Sequence, residues 1–418
     1  MEKEKILELA KYCLNCKNKP CSTACPMETD IPNFISKIRE ENFEQAYEIV
    51  RKNNLLSHIC ANICPHEKQC QGKCIRGIKG QPVSIGILES YVNSWARENK
   101  IKLPIERKQS KNIKIAVIGS GPAGLSCSME LAKNGYNVTV FEKEKELGGI
   151  LRYGIPDFRL DRNLIDETIK ELKELGVQFE TGKELGENLT IEELKKDSYK
   201  AIFLGIGAKT AKTYKLSENK YKSIYNSEDF LKRYNTGNPI QNLGKTIVIG
   251  GGNVAMDCAR VAKESGAEKT TVIYRRDRQS MPARNDEIED TINENIEIIY
   301  FTNVLEANGD NEDIKEVKCI KTKVENNKVV NIPNTEFTVE ANSVIFAIGL
   351  LPDKKLLQEK LNIQMENELL KVNEKGETNI EGIFAGGDDT QNKATVCLAV
   401  ACGKKVAKSI MEYCDKNQ

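Results

Sequence analysis

Histidine is nearly missing from this chain: 418 residues carry two, His58 and His66. Metal sites built from imidazole are therefore close to excluded. Net charge is missing too, since 62 Lys and Arg offset 61 Asp and Glu to leave +1. A balanced chain gives no support for a nucleic-acid partner or a polybasic membrane contact. No apolar run approaches the ~18 residues of a membrane-spanning helix. The opening Met1-Glu-Lys-Glu-Lys-Ile lacks the apolar stretch of a secretory signal, so a cytoplasmic location is expected. The length suggests two to four domains at roughly 100–200 residues each.

Cysteine is plentiful but uneven. Eight of the fourteen fall between Cys13 and Cys74, while Cys127, Cys258, Cys319, Cys397, Cys402 and Cys414 are scattered. In a reducing compartment such density argues for metal rather than disulfides. Cys13, Cys16, Cys21 and Cys25 are followed by Pro26, and Cys60, Cys64-Pro65, Cys70 and Cys74 form a second run. Thiolates are the ligands that iron–sulfur clusters require. In two-cluster ferredoxins the last cysteine of a run ends in C-P and serves the other cluster. The same crossing is expected here, with Cys13, Cys16, Cys21 and Cys74 on one [4Fe–4S] cluster and Cys25, Cys64 and Cys70 on a second. Zinc and disulfides are the alternatives, although zinc sites favour paired C-x2-C knuckles and one such pair is present.

Helices are expected between and after the quartets. Asp30 can cap a helix burying Ile31, Phe34, Ile35 and Ile38; Phe43, Ala46, Tyr47 and Val50 form another apolar face. Ile85, Leu88, Val92 and Trp95 form a third, with Glu89 at the edge of its stripe, where a carboxylate usually marks the solvent boundary. Residues 1–100 thus read as a helical domain, and the charged, aperiodic 101–112 as a linker.

A nucleotide unit follows. Lys114-Ile-Ala-Val-Ile is a buried strand; Gly119-Ser-Gly121-Pro122-Ala123-Gly124 opens a helix, and a strand from Val138 to Phe141 ends at Glu142. The glycines permit a tight turn, approach to a pyrophosphate and close helix packing, and Glu142 can accept from a ribose hydroxyl. Lys143 and the paired glycines Gly148-Gly149-Ile150 extend that candidate site. The unit recurs as Lys245–Ile249, then Gly250-Gly-Gly252-Asn253-Val254-Ala255, a helix, and the strand Thr271–Tyr274. Where the first copy has Glu142, the second has Arg275 and Arg276. An acid there repels a 2′-phosphate and an arginine attracts it, so NADPH is expected over NADH unless both arginines are simply solvated. Arg284 and Ala347-Ile348-Gly349 are further candidates at this second site. Ile380–Asp388 is a strand running into a glycine turn and an acid, and the helix from Ala394 presents its positive end to a reduced flavin. The expected architecture is α/β: a flavoprotein body with two dinucleotide sites, FAD in 113–224 and 341–418, and an NADPH domain at 225–340 inserted into it.

Cys13–Cys74, Gly119–Gly124, Leu147–Leu160, Gly250–Asp257, Tyr274–Arg284 and Ala385–Val396 together resemble the small subunit of NADPH-dependent glutamate synthase, and equally the electron-input part of dihydropyrimidine dehydrogenases. The resemblance spans essentially the whole chain. It implies an oxidoreductase with FAD and two [4Fe–4S] clusters, and Glu89 rather than Cys60 as fourth ligand of the second cluster; Cys60 remains the competing thiolate. It also implies Ile63, Arg159 and Leu185 beside FAD, with Gly387, Asp388, Ala394, Thr395 and Val396 along its ribityl chain and ring. Hydride transfer between two cofactors needs no acid–base side chain, so no catalytic residue is expected. With no glutaminase nucleophile at Met1-Glu2 and no barrel domain, the terminal reaction is expected on a larger partner subunit or a ferredoxin-type carrier, possible bifurcation included. A disulfide reductase would need a C-x-x-C near the flavin, and the body has none; a redox sensor would not need a nicotinamide site.

Overall fold

The structure is a computed structural model that describes residues 2–218, 221–391 and 395–416. The polypeptide divides into two compact units. The first holds Met1–Leu151, Phe158–Ala208 and Pro352–Gln418; the second holds Arg152–Asp157 and Lys209–Leu351.

The first unit begins with helices Lys3–Lys11, Ile31–Arg39, Phe43–Asn53, Ser57–Ile63 and Ile85–Glu98. Phe34, Ile35, Ile38, Val50, Leu88 and Val92 make their common core, as the helical spacing of those residues requires. Asp30 precedes its helix but does not cap it with its side chain. Lys19 Nζ (2.7 Å) and Asn33 Nδ2 (2.5 Å) occupy its oxygens instead, and the Ile31 N–H donates to Ser22 Oγ at 3.0 Å. The 101–112 stretch has no regular structure, yet it is strapped down. Arg107 donates to the carbonyls of Leu175 (3.0 Å) and Tyr136 (3.3 Å), and the Lys108 N–H donates to the carbonyl of Lys133.

The body of this unit is a parallel sheet in the order Ile383–Ala385, Tyr199–Leu204, Lys114–Ile118, Asn137–Glu142, Gln178–Thr181. Strand Lys114–Ile118 pairs with Asn137–Glu142 in register Ile118↔Phe141, and helix Pro122–Lys133 makes the crossover. Helix Val396–Lys416 packs on that crossover helix: Ser126 Oγ donates to the Val400 carbonyl at 2.7 Å. A methyl on Gly403 would stand 2.2 Å from the Ala123 carbonyl oxygen, so only glycine allows this approach.

The second unit repeats the plan. Its parallel sheet runs Ile224–Asn226, Ser343–Phe346, Lys245–Ile249, Lys269–Ile273, Glu297–Ile299. Helix Asn253–Glu264 joins the third and fourth of these strands. An antiparallel meander follows, Thr302–Asp310, Asp313–Glu325 and Lys328–Glu340. Its inward residues Val304, Ile314, Val317 and Cys319 share a core with Ile247, Ile249 and Phe346. No helix among the described residues is long and apolar enough to cross a membrane.

Candidate functional site

At the C-terminal ends of the first sheet, four loops converge. Gly119 lies against the Gly205 carbonyl, Gly149 against the Gly121 backbone, and Gly387 against Ala123, at separations no larger side chain would tolerate without movement. At Gly124 a methyl would sit 1.9 Å from the Gly119 carbonyl oxygen, which fixes helix against strand. At Gly121 it would meet nothing within 4 Å. That open face at a helix N-terminus is where a pyrophosphate fits. Pro122 is the first helical residue, a position that tolerates a missing N–H.

Glu142 is buried at the end of its strand. One oxygen accepts from Ser120 N–H (2.9 Å) and Ser120 Oγ (2.6 Å), the other from the Glu144 N–H at 3.0 Å. The second oxygen keeps a lone pair for a ribose hydroxyl. Ser120 Oγ in turn accepts from the Gly148 N–H at 2.9 Å, which ties the two glycine loops together. Lys143 lies 3.9 Å from carboxylates of both Glu144 and Glu184. Asp388 Oδ1 is buried without a hydrogen-bond partner among the described residues, and so are both oxygens of the fully buried Asp389. Burial, then Cys397, pushes the Asp388 carboxyl up to about 6; burial, then Asp388, pushes Asp389 well above the usual range. An orphaned acceptor at this glycine turn fits a flavin's ribityl hydroxyls. Ile150 is exposed beside the loop, while Leu185 is packed with Ile118 and Phe141 in the core. Ile63 closes the helix leading to Cys64, and Arg159 is half-buried. Thr395 and Val396 lead into the helix Val396–Lys416, and Ala394 lies outside the described residues.

The second unit has the same construction. A methyl on Gly250 would meet the Ala347 carbonyl oxygen at 2.2 Å, bringing the 250–255 and 347–349 loops together. Asn253 Oδ1 accepts from the Arg284 N–H at 2.8 Å. Val254 and Ile348 are large apolar side chains left exposed there. Gly252 is the N-cap, and Ala255 is buried beneath it. Arg275 is exposed and Arg276 half-buried, directly after their strand. Thr322 Oγ1 donates to the Arg275 carbonyl at 2.9 Å and the Phe301 N–H to that of Arg276 at 3.1 Å, so the backbone of both arginines is pinned. Among the described residues neither arginine is drawn into an ion pair, whereas Arg278 pairs with Glu289 and Arg284 with Asp286.

In the helical head, Cys13, Cys16, Cys21 and Cys74 line one small cavity whose other walls include Pro20, Ile31, Ile35 and Val83. Residues 61 positions apart in sequence thus share one apolar chamber. Burial pushes the Cys21 thiol up to about 11. A second group lies deeper. Glu89 is only 9% exposed, on a helix that packs against the helices Ser57–Ile63 and Phe43–Asn53. Its carboxyl is pushed up to about 8 by burial and then by Cys397, and burial, followed by Glu89, raises the thiols of Cys25 and Cys70. Glu89 is therefore not a solvent-edge residue. Cys64 touches both Cys60 and Cys397. All fourteen cysteines are free thiols. No three of the described Cys, His, Asp or Glu converge closely enough for a single metal ion. A cubane distributes its four protein ligands over separate irons, so they need not meet at one point.

Cys397 and Gln69 belong to this site but were not anticipated as members. Gln69 Nε2 lies 2.9 Å from Cys397 Sγ, and Thr395 Oγ1 lies 3.4 Å from it. The available signal was weak: Cys397 follows directly on the segment expected along the flavin.

Comparison with known proteins fits this geometry. Residues 113–403 match the family described as pyridine nucleotide-disulphide oxidoreductase, and residues 1–101 the one described as dihydropyrimidine dehydrogenase domain II, 4Fe-4S cluster. The chain is 30% identical to the glutamate synthase [NADPH] small chain of Halomonas elongata, over 97% of this chain and 90% of that one. It is 32% identical to the NAD-dependent dihydropyrimidine dehydrogenase subunit PreT of Escherichia coli (strain K12), over 97% of this chain and 93% of that one. Mycobacterium tuberculosis FprA in complex with NADPH shares the fold, with a TM-score of 0.63 at 15% identity over 73% of this chain and 85% of that one. With both nucleotide loops and the cysteine-rich head in place, the chain belongs to the pyridine nucleotide-disulphide oxidoreductase family, as an NAD(P)H-dependent flavin and iron–sulfur electron-transfer subunit of the glutamate synthase small-chain type.

Proposed function

We propose that this chain passes electrons between NADPH, one FAD and two [4Fe–4S] clusters, to or from a larger catalytic subunit. The observation that carries the two-cluster reading is the shared cavity of Cys13, Cys16, Cys21 and Cys74, beside which Cys25 and Cys70 both face Glu89, while Glu89 and Cys64 both have Cys397 as a neighbour.

The chemistry supplied by the flavin when bound is hydride exchange with a nicotinamide and one-electron exchange with iron–sulfur centres. The chain's own residues bind and orient. The loop Gly119–Gly124 and the N–H groups of the following helix hold the pyrophosphate, and Glu142 accepts from the ribose. Asp388 accepts from the ribityl chain, and the start of helix Val396–Lys416 favours negative charge on the ring. Arg275 and Arg276, uncommitted to any carboxylate, hold the 2′-phosphate of NADPH. This assignment fits a nicotinamide domain at 225–340.

Glu89 fits the fourth ligand position of the second cluster better than Cys60 does. It faces Cys25 and Cys70, while Cys60 touches Cys64 from four residues away on one helix. Hydrogen-bonded sulfurs stand closer together than thiolates on two different irons of a cube. To ligate, Glu89 must lose the proton that burial holds to about pH 8.

A disulfide-reductase reading finds little support, since Cys258 is wholly buried in the core of the second unit among Met256, Ala259 and Val272. The test is direct. NADPH should bleach the purified flavin, and iron analysis should give about eight irons per chain. Equal rates with NADH and NADPH overturn the specificity assignment, and about four irons or fewer overturn the two-cluster one. Affinity capture from the native host then identifies the catalytic partner.

A further inference from the structure

We propose that Phe301 is a binding residue of the second dinucleotide site, the platform on which the adenine ring of the pyridine nucleotide stacks. The proposal rests on the assignment of that site to NADPH, through Arg275 and Arg276, made above.

Phe301 follows the strand Glu297–Ile299, where the chain leaves the parallel sheet and begins the meander at Thr302. The strand Glu297–Ile299 pairs with Lys269–Ile273, and the pairing runs on past the strand ends. The Tyr274 N–H donates to the Ile299 carbonyl at 2.9 Å, the Phe301 N–H to the Arg276 carbonyl at 3.1 Å, and the Thr302 N–H to the Tyr274 carbonyl at 3.1 Å. The Phe301 carbonyl accepts from the Thr322 N–H at 2.8 Å, and Thr322 Oγ1 holds the Arg275 carbonyl. Phe301 is therefore tied by backbone hydrogen bonds to the two arginines assigned to the 2′-phosphate.

Neither the surroundings nor the backbone favours an aromatic side chain here. Thr302 beside it is 1% exposed, whereas Phe301 is 39% exposed. Phe301 belongs neither to the core around Val272 nor to the one around Val317. It stacks on no other ring among the described residues. Its φ is 49°, in the left-handed region. Most other non-glycine residues there are Asn, the rest are charged or Ser, and among the described residues Phe301 is the one apolar side chain. Asn reaches this conformation readily and a bulky side chain does not. Strain of this kind persists where a site uses it.

The connectivity of the nucleotide indicates what the ring meets. The pyrophosphate goes to the loop Gly250–Ala255 and the 2′-phosphate to the arginines after the next strand. Adenine is carried on the same ribose, on the carbon next to the one that bears the 2′-phosphate. The base is thus held beside the arginines, and Phe301 offers it a flat apolar surface from the adjoining strand. Arg276 gives a second sign of a ligand: its Nε is buried without a hydrogen-bond partner among the described residues. Stacking requires only a π-face on each side. It acts on the base that NADPH and NADH share. Phe301 therefore sets affinity for both nucleotides, while the arginines choose between them.

The experiment is isothermal titration calorimetry of the full chain with 2′,5′-ADP, which carries the adenine and the 2′-phosphate but no nicotinamide, read beside a thermal melt. In F301G the dissociation constant should rise by roughly 5- to 100-fold. The melting temperature should hold or rise, because glycine takes positive φ freely. F301Y and F301W keep a π-face and should bind as wild type does. Wild-type affinity in F301G overturns the proposal, and so does a loss in F301Y and F301W as large as in F301G. If F301G does not fold, F301N, which also suits this backbone, carries the same test. Steady-state kinetics separate this proposal from the NADPH assignment. F301G should raise the KM for NADH as much as that for NADPH, and a rise for NADPH alone overturns the platform. Wild-type 2′,5′-ADP affinity in the chain with Arg275→Ala and Arg276→Ala would instead overturn the NADPH assignment, and the NADH result in F301G would then decide Phe301 by itself.

Discussion

His58 Nε2 lies 2.8 Å from Thr168 Oγ1 and 3.2 Å from the Leu164 carbonyl, joining the helix Ser57–Ile63 of the head to the helix Arg162–Glu174 of the body. On its other side Nδ1 faces Arg51 Nη1 at 3.4 Å. The guanidinium can only donate, so the ring is neutral with its proton on Nε2. Burial first, then Arg51, pushes its pKa down to about 3.

Acid should therefore loosen this junction. The unfolded chain's His58 takes a proton near pH 6.5, and the folded chain refuses it until about pH 3. The contribution is complete above about pH 6.5, falls as pH drops below it, and levels off near pH 3. Between pH 7 and pH 5 the loss is about 2 kcal/mol. Urea unfolding of H58Q at both pH values should show a pH-dependent drop smaller by about that amount. An identical drop in variant and wild type would contradict the neutral assignment.

Arg51 makes a second clasp across the same junction, with Nη2 2.7 Å from Glu171 Oε2. The arginine is 4% exposed and the glutamate 33%. R51M should cost about 1.5–3 kcal/mol, since it also removes donors to Leu55 and His58. E171Q should cost about 1 kcal/mol or less, water screening the exposed partner. Denaturant melts of the two single variants and the double variant measure the coupling.

The two glycines of the first loop should behave differently. G121A meets no protein atom within 4 Å, so it should fold with near-normal stability and yet fail to retain FAD. G124A drives a methyl into the Gly119 carbonyl, so it should lose FAD and also about 1–3 kcal/mol of stability. Flavin absorbance per chain, read beside a thermal melt, separates the two outcomes.

Replacing Arg275 and Arg276 together by alanine should raise the KM for NADPH by roughly 10- to 100-fold, the loss of one or two charge-assisted phosphate contacts. The KM for NADH should hardly change. Steady-state rates with an artificial electron acceptor report both, and a parallel rise for NADH would place the arginines in general binding or folding.

E89A should lower the iron content by about four per chain, while E89Q, which keeps a carbonyl oxygen, and C60A should retain iron near the wild-type level. The reverse pattern, with C60A losing the iron, would assign the fourth ligand to Cys60.

Much of this was legible in the sequence because it is local. The run Lys114–Gly124 specifies strand, turn and helix through period and glycine alone, and its repeat at Lys245–Ala255 forms the same unit. The apolar faces of Ile31–Ile38 and Ile85–Trp95 follow from helical spacing in the same way. The cysteine spacing already indicated which kind of ligand the head presents. Tertiary structure decided what spacing cannot encode. Asp30 is diverted from capping by Lys19, a partner eleven residues back. Glu89 lies at the edge of a stripe on its own helix, yet it is buried because other helices pack against that helix. Cys397 is one of six scattered cysteines in the sequence, and it meets Cys64 only because the last helix of the body packs against the head. Periodicity reports a residue's relation to its own element. Burial, and the company a sulfur or carboxylate keeps there, depends on which distant element arrives to exclude water from it.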